Sequence, residues 1–156
     1  MIFEVRGADP EDAQAIKEIT KEAFLKYIEL SGIQGKVAAI EESLEDIVQD
    51  IKTKHVFVAY IDHVPVGSVR VEIFEDGTAY FSRFGVRLVY QNNGVGKALM
   101  NVVDMHMKQL KVKKLLLHTA SKFFSLMRFY YGRGFYVQST TQDRGYIRAS
   151  LCKDYE

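Results

Sequence analysis

Hydrophobic positions change period along this chain, and each change marks an element. Residues 2–6 form a short β-prone run, and GADPEDAQ then supplies a helix start. In it Asp9 can cap, Pro10 suits the first turn, and Glu11 and Asp12 favour the positive helix end. Ala13, Ile16, Ala23, Phe24 and Tyr27 recur at helical spacing, while Lys17, Glu18, Lys21 and Glu22 take the opposite side. An amphipathic helix covering a core is expected. Gly32 and Gly35 break the period within ELSGIQGKVAAIEE, and a shorter helix resumes over residues 43–51.

From His55 the period falls to two. HVFVAYI, VGSVRVEIF and TAYFSRFGV are β-branched and aromatic runs separated by DHVP and by EDG, whose Asp76-Gly77 suits a hairpin turn. Three consecutive antiparallel strands follow from that spacing. After a polar turn, Val95, Ala98, Leu99, Val102, Val103 and His106 mark one side of a helix, and KKLLLHT reads as a strand. Phe123, Leu126, Met127 and Tyr130 mark a further helix that stops at Gly132 and Gly134. Two closing strands, residues 135–140 and 146–152, flank TQDRG. The predicted order is β-α-α-β-β-β-α-β-α-β-β, an α/β fold with a mixed sheet and helices on its faces, in one domain spanning residues 1–156.

Composition narrows the classes of function. The 156 residues are 47% hydrophobic and 12% aromatic, enough to bury a core. Lys and Arg total 21 against 20 Asp and Glu with no basic block, which gives no support for nucleic acid or anionic lipid as a partner but leaves a small anion open. The single cysteine, Cys152, excludes an internal disulfide and a cysteine metal cluster, as fits a reducing cytoplasm. No run reaches the roughly 18 apolar residues of a membrane helix, and Met1-Ile2-Phe3-Glu4 is acidic where a signal peptide is basic. A cytoplasmic protein, monomeric or homodimeric, is expected.

The turn YQNNGVGKALM carries the candidate chemistry. Gly94-Val95-Gly96 lies between a strand and a helix, where unpaired N–H groups and the positive helix end make an anion site. A Walker loop needs glycine at 91 and Ser or Thr at 98, which are Gln91 and Ala98. A Rossmann fingerprint needs a small residue at 99 and an acidic ribose ligand at the end of a second strand, but the chain has Leu99, Leu116 and His118. Neither motif fits. An ordinary helix entry remains an alternative.

With its flanks, FGVRLVYQNNGVGKALM resembles the acetyl-coenzyme A signature of the GCN5-related N-acetyltransferase (GNAT) superfamily. In that signature a strand ending in valine precedes a Q/R-x-x-G-x-G/A turn. Gln91, Gly94 and Gly96 match the spacing, and Val86 takes the strand end. Further on, FYYGRGF places Phe129, Tyr130, Gly134 and Phe135 where the family shows an aromatic and tyrosine, three residues, then Gly-Phe. With the order of elements, the resemblance covers nearly the whole chain.

The resemblance implies a mostly antiparallel sheet splayed between its fourth and fifth strands, with the pantetheine arm of acetyl-CoA in the gap. Phe84, Gly85 and Val86 would offer backbone groups to that arm, and the N–H groups of Gln91, Asn92, Asn93, Gly94, Val95, Gly96 and Lys97 would cradle the pyrophosphate. Lys97 is otherwise a solvated lysine. In the implied reaction a neutral amine attacks the thioester carbonyl, the Val86 N–H serves the oxyanion, and a phenol protonates the departing thiolate. Tyr130 is the candidate acid by position, with Tyr131 as fallback, although Tyr130 also lies on the apolar stripe of its helix. The chain departs from the family twice. Many relatives carry a glutamate on the strand before the bulge, but residues 80–83 are Tyr80, Phe81, Ser82 and Arg83. Glu72 is therefore the candidate base, with His118 as alternative, and Arg83 suggests either a cleft for a negative group on the substrate or a strand-edge charge. Phe123 stands where relatives place a coenzyme-contacting Asn, so that contact moves to Ser121 or Ser125 or is lost.

His55, His63, His106 and His118 lack metal-ligand spacing, so no metal is expected. The reading is direct acetyl transfer from acetyl-CoA, as co-substrate, to the primary amine of a small molecule such as a polyamine, amino acid or aminoglycoside. A non-catalytic acyl-CoA sensor and a protein or peptide N-acetyltransferase are the alternatives.

Overall fold

The computed structural model describes residues 1–31 and 38–156. The period-two runs form β1 (Phe3–Gly7), β2 (His55–Ile61), β3 (Val64–Ile73), β4 (Thr78–Val86), β5 (Lys114–Ala120), β6 (Tyr136–Thr141) and β7 (Arg148–Asp154). They make one sheet of order β1-β2-β3-β4-β5-β7-β6. Every neighbouring pair is antiparallel except β4 and β5, which run parallel. The helices are α1 (Ala13–Ser31), α2 (Ala38–Glu41), α3 (Leu44–Thr53), α4 (Val95–Gln109) and α5 (Phe124–Gly132). The expected order holds, with α2 as an added single turn. The break expected at Gly32 and Gly35 lies outside the described residues; α1 itself runs on to Ser31.

Alternation along β2 shows how both sheet faces are covered. Phe57, Ala59 and Ile61 pack with Leu99, Met100, Val103 and Met107 of α4, while Val56, Val58 and Tyr60 pack with Ala13, Ile16 and Ile47 of α1 and α3. A strand buried on both faces reads as a continuous apolar run, as HVFVAYI does. Leu99 and Met100 are fully buried, each contributing about 1.5–3 kcal/mol by removal from water. Helix α3 starts in a capping box: Ser43 Oγ accepts from Asp46 N at 3.1 Å, and Asp46 Oδ2 accepts from Ser43 N at 3.0 Å. Asp76 Oδ1 accepts from Thr78 N at 3.0 Å in the β3–β4 hairpin, where Gly77 takes positive φ as expected.

Helix α1 differs from the stripe read from sequence. Its N-terminal half buries Ala13, Ile16, Ile19 and Thr20, whereas Ala23, Phe24 and Tyr27 are half-buried. The first half packs on the sheet. The second overhangs an opening in it.

That opening is the split between β4 and β5. Ladder pairing is limited to Thr78 with Lys114, Ala79 with Leu115 and Tyr80 with Leu116. Residues 81–86 and 117–120 then run on without pairing to each other. A bulge in β4 steers the divergence: Ser68 of β3 opposes Gly85 and Arg70 opposes Ser82, so Arg83 and Phe84 together face Val69. Arg83 takes a φ of 53° at the bulge, in the left-handed region that a residue other than glycine seldom occupies.

Candidate functional site

A cavity of about 440 Å³ occupies the split. Its walls are β4 from Tyr80 to Val86, the end of β5, the overhanging half of α1, the first turn of α4, α5, and the hairpin joining β6 to β7.

At the wide end, the turn after β4 feeds α4. The first bond involving that helix runs from Ala98 N to Gly94 O at 3.0 Å, so the amides of Gly94, Val95, Gly96 and Lys97 precede the helical ladder and carry its positive end. Gly94 takes a φ of 82°, where an L side chain would cost roughly 1–2 kcal/mol. A Cβ on Gly96 would lie 3.0 Å from Phe84 Cζ, so the backbone there is open because the residue is glycine. Gln91 Nε2 donates to Val86 O at 3.3 Å, which ties the turn to the strand end. Arg87 N donates to Val66 O on β3 at 2.8 Å. Successive strand amides alternate sides, so the Val86 N–H points away from β3 and into the split. Lys97 lines the cavity beside this turn. The arrangement suits a pyrophosphate: free amides, a helix end, one cation, and room that a side chain at 96 would fill.

Tyr130 sits deeper, on α5, in a cage of aromatic rings. Phe135 and Phe129 lie 5.5 and 5.7 Å from it, and Phe81 meets it edge-on at 6.1 Å. It lines the cavity yet is 4% exposed, and its hydroxyl makes no hydrogen bond among the described residues. Burial pushes its pKa well above the ordinary phenol value, reinforced by nearby Tyr27 and Tyr80. The proton therefore stays on at any physiological pH. Tyr131, 51% exposed, turns outward and is not part of the cavity wall. Phe123 stacks on Tyr27 with centroids 5.3 Å apart, and the Tyr27 hydroxyl accepts from Ala120 N at 2.6 Å. Tyr27 thus bridges α1 to the end of β5, with Phe123 stacked on its ring.

The sheet face turned away from α4 carries a second polar group. Tyr80 and Leu116 are opposed in the ladder, so Tyr80 and His118 share that face, and Tyr80 Oη lies 2.7 Å from His118 Nδ1. Partial burial, then the positive charges of Arg148 and Arg144, pull the His118 pKa below its usual value, with Asp143 opposing. Burial likewise raises the Tyr80 pKa, against the pull of Arg148, Arg144 and Arg83. The pair is a neutral imidazole beside a neutral phenol at pH 7. Below it, fully buried Arg70 holds Glu42 through two bonds of 2.6 and 2.9 Å and Asp50 at 2.9 Å, and Glu42 Oε2 lies 3.4 Å from Arg83 Nε.

The cavity thus unites most residues expected from sequence. Phe84, Gly85, Val86, Gln91, Asn92, Gly94, Gly96, Lys97, Ser125 and Tyr130 line it. Asn93 and Ser121 do not, and the Ser121 amide donates instead to Ile147 O at 3.0 Å. The Val95 side chain is buried against the core. Glu72 also lies outside the cavity wall; its carboxylate is 3.8 Å from Lys54 Nζ. Sequence reasoning missed the Tyr80–His118 contact, Glu42, and the hairpin arginines Arg144 and Arg148, which are distant in the chain and carry no local motif. No cluster of three potential metal ligands occurs among the described residues, and no helix among them is long and apolar enough to cross a membrane.

A sheet split between two parallel strands, with a helix N-terminus at the wide end and a buried phenol within, defines a domain built around an extended, phosphate-bearing ligand. Residues 14–135 match the profile of the acetyltransferase (GNAT) family, and the chain belongs to that family of acyltransferases. A search of curated proteins finds no significant match. Among solved structures, the PaiA N-acetyltransferase from Thermoplasma acidophilum in complex with coenzyme A superposes with a TM-score of 0.88 at 22% identity, covering 99% of this chain and 100% of that one. The structure of yncA from Salmonella typhimurium with its cofactor acetyl-CoA gives 0.79 at 14% identity, covering 100% and 95%. The ribosomal-protein-S18-alanine N-acetyltransferase from Escherichia coli gives 0.80 at 14% identity, covering 98% and 94%. At these identities the likeness concerns the fold.

Proposed function

We propose that this chain, acting as one domain in the cytoplasm, transfers an acetyl group from acetyl-CoA to the primary amine of a small molecule. The observation that carries the reading is the meeting, in one split, of the uncommitted amides at the start of α4 with the unpartnered hydroxyl of Tyr130, whose ring is buried. Acetyl-CoA supplies an acetyl thioester, the group whose transfer leaves a free thiol.

The chain's own residues divide the remaining work. The amides of Gly94, Val95, Gly96 and Lys97 hold the pyrophosphate, and the exposed edge of β4 at Phe84, Gly85 and Val86 takes the arm. The Val86 N–H is aimed where negative charge develops on the carbonyl oxygen. Tyr130 keeps its proton at Oη and donates it to the departing sulfur. His118 takes the proton from the acceptor ammonium: in the tautomer whose Nδ1–H donates to the Tyr80 oxygen, 2.7 Å away, Nε2 keeps its lone pair for that role. We assign the base to His118 rather than Glu72 because His118 lines the cavity whereas Glu72 is outside it beside Lys54.

One observation favours a second reading. No carboxylate lines the cavity among the described residues, as suits an acyl-CoA sensor with no strong base. Calorimetry with acetyl-CoA, together with thiol release across a panel of amines and peptides, separates the two. The enzyme binds acetyl-CoA and releases thiol when an acceptor is present. Binding without thiol release for any acceptor contradicts the proposal and leaves the sensor.

A further inference from the structure

Charge is distributed unevenly around the split. Lys26, Arg83, Lys97, Arg144 and Arg148 line it, and none of its lining residues among those described is acidic. Three of these cations have other work or partial compensation. Lys97 stands at the α4 turn, Arg83 has Glu42 at 3.4 Å, and Lys26 has Glu29 at 3.6 Å. Arg144 and Arg148 form no ion pair and no hydrogen bond among the described residues, and Arg148 Nε is buried without a partner. Asp143 bears on nearby His118, yet it is not within ion-pair distance of either guanidinium.

Their position separates them from the pyrophosphate turn. Arg148 opposes Ala120, and Tyr80, His118 and Ala120 share one sheet face by register. That face is opposite the one where Leu115 and Leu117 pack with α4. The separation is lateral: the turn follows β4, whereas Arg148 stands on β7, beyond β5 and across the unpaired part of the split. A phosphate held at Gly94 and Gly96, at the start of α4, is thus on the other side of the split and of the sheet from the unpaired hairpin guanidiniums. A polycationic acceptor would be repelled by them, and an amine bearing a carboxylate or phosphate would be oriented with its nitrogen toward His118.

We propose that the acceptor is an amine that also carries an anionic group, held by the guanidiniums of Arg148 and Arg144 on the face of the split away from α4. This rests on the acetyl transfer proposed above. The test is thiol release from saturating acetyl-CoA with matched acceptors: phosphoethanolamine against ethanolamine, β-alanine against β-alaninamide, a peptide with an acidic N-terminal residue against its amide counterpart, and spermidine. The anionic member of a pair is expected to have about tenfold or greater kcat/KM, the ratio one charge-assisted contact provides, with spermidine at the bottom. Either a small anionic amine or an acidic peptide supports the proposal, and the arms tell which source is used.

Arg148→Gln should collapse that ratio toward unity, and Arg148→Lys should restore part of it. Arg144→Gln, in an exposed turn, should shift the ratio in the same direction even where a strand substitution disturbs folding. Equal or better turnover of the neutral amines or spermidine overturns this proposal alone. So does an Arg148→Gln effect confined to the KM for acetyl-CoA. Absence of thiol release with every acceptor of the panel overturns the transfer reaction and this proposal with it.

Discussion

The imidazole of His118 sits among guanidiniums and partly out of water, and both influences disfavour its protonated form. Its pKa is lowered from the usual 6.5, so the neutral, proton-accepting form dominates at pH 7 and is lost only as pH falls through that depressed value. A pH profile of kcat/KM should therefore be flat near neutrality on its acid side and fall only as pH drops through that lowered value, below the ordinary histidine range. In His118→Gln that limb should vanish and kcat/KM should drop roughly 100-fold. Glu72→Gln should leave both unchanged within about twofold, as expected for a solvated strand-edge ion pair. These assignments show what was legible residue by residue. The place of Tyr130 in the cavity wall was legible through its spacing to Gly134 and Phe135, a local pattern. The Tyr80–His118 contact was not, because it depends on a parallel register between strands separated by the whole of α4.

At the scale of elements, the turn before α4 was readable because its requirement is local: a left-handed residue at the helix entry and a missing Cβ two residues on. Gly94→Ala would place an L side chain at a φ of 82°, so a loss of roughly 1 kcal/mol in stability is expected from thermal or denaturant unfolding. The same strain displaces the amides, and KM for acetyl-CoA should rise several-fold with a smaller change in kcat. An unchanged KM would separate this turn from the ligand. The three-strand meander was equally plain, since alternation and Asp76-Gly77 specify it. The insertion of β7 between β5 and β6 was not legible: short-range patterns define strands but do not say which non-local edges they join. Nor was the divided role of α1, whose Phe24 and Tyr27 have the same apolar spacing as Ala13 and Ile16 but face the cavity instead of the sheet.

Across the whole molecule, a nearly neutral chain conceals opposed local charges. Composition gives a net charge of +1, yet the split gathers cations while Glu42 and Asp50 are drawn beneath it by Arg70. Arg70 joins β3 to α3 and to the segment before it, and it is 1% exposed. Arg70→Met should destabilise the fold by roughly 3 kcal/mol, because two carboxylates lose their shared guanidinium in a half-buried setting. In thermal unfolding that is a fall of about 10 °C for a domain of this size. A fall of less than about 2 °C would mean Lys54 and Arg83 suffice as partners.

The central claim is that the split holds the acetyl donor and that Tyr130 supplies the proton the departing sulfur requires. Steady-state turnover of Tyr130→Phe, at saturating acetyl-CoA and acceptor, tests it most directly. The substitution keeps the ring inside its aromatic cage and removes the hydroxyl, which has no hydrogen bond to lose among the described residues. The account predicts a fall in kcat of about 100-fold or more, with acetyl-CoA affinity by calorimetry changed less than about threefold. Turnover equal to that of the unaltered protein would contradict it and remove Tyr130 from the chemistry.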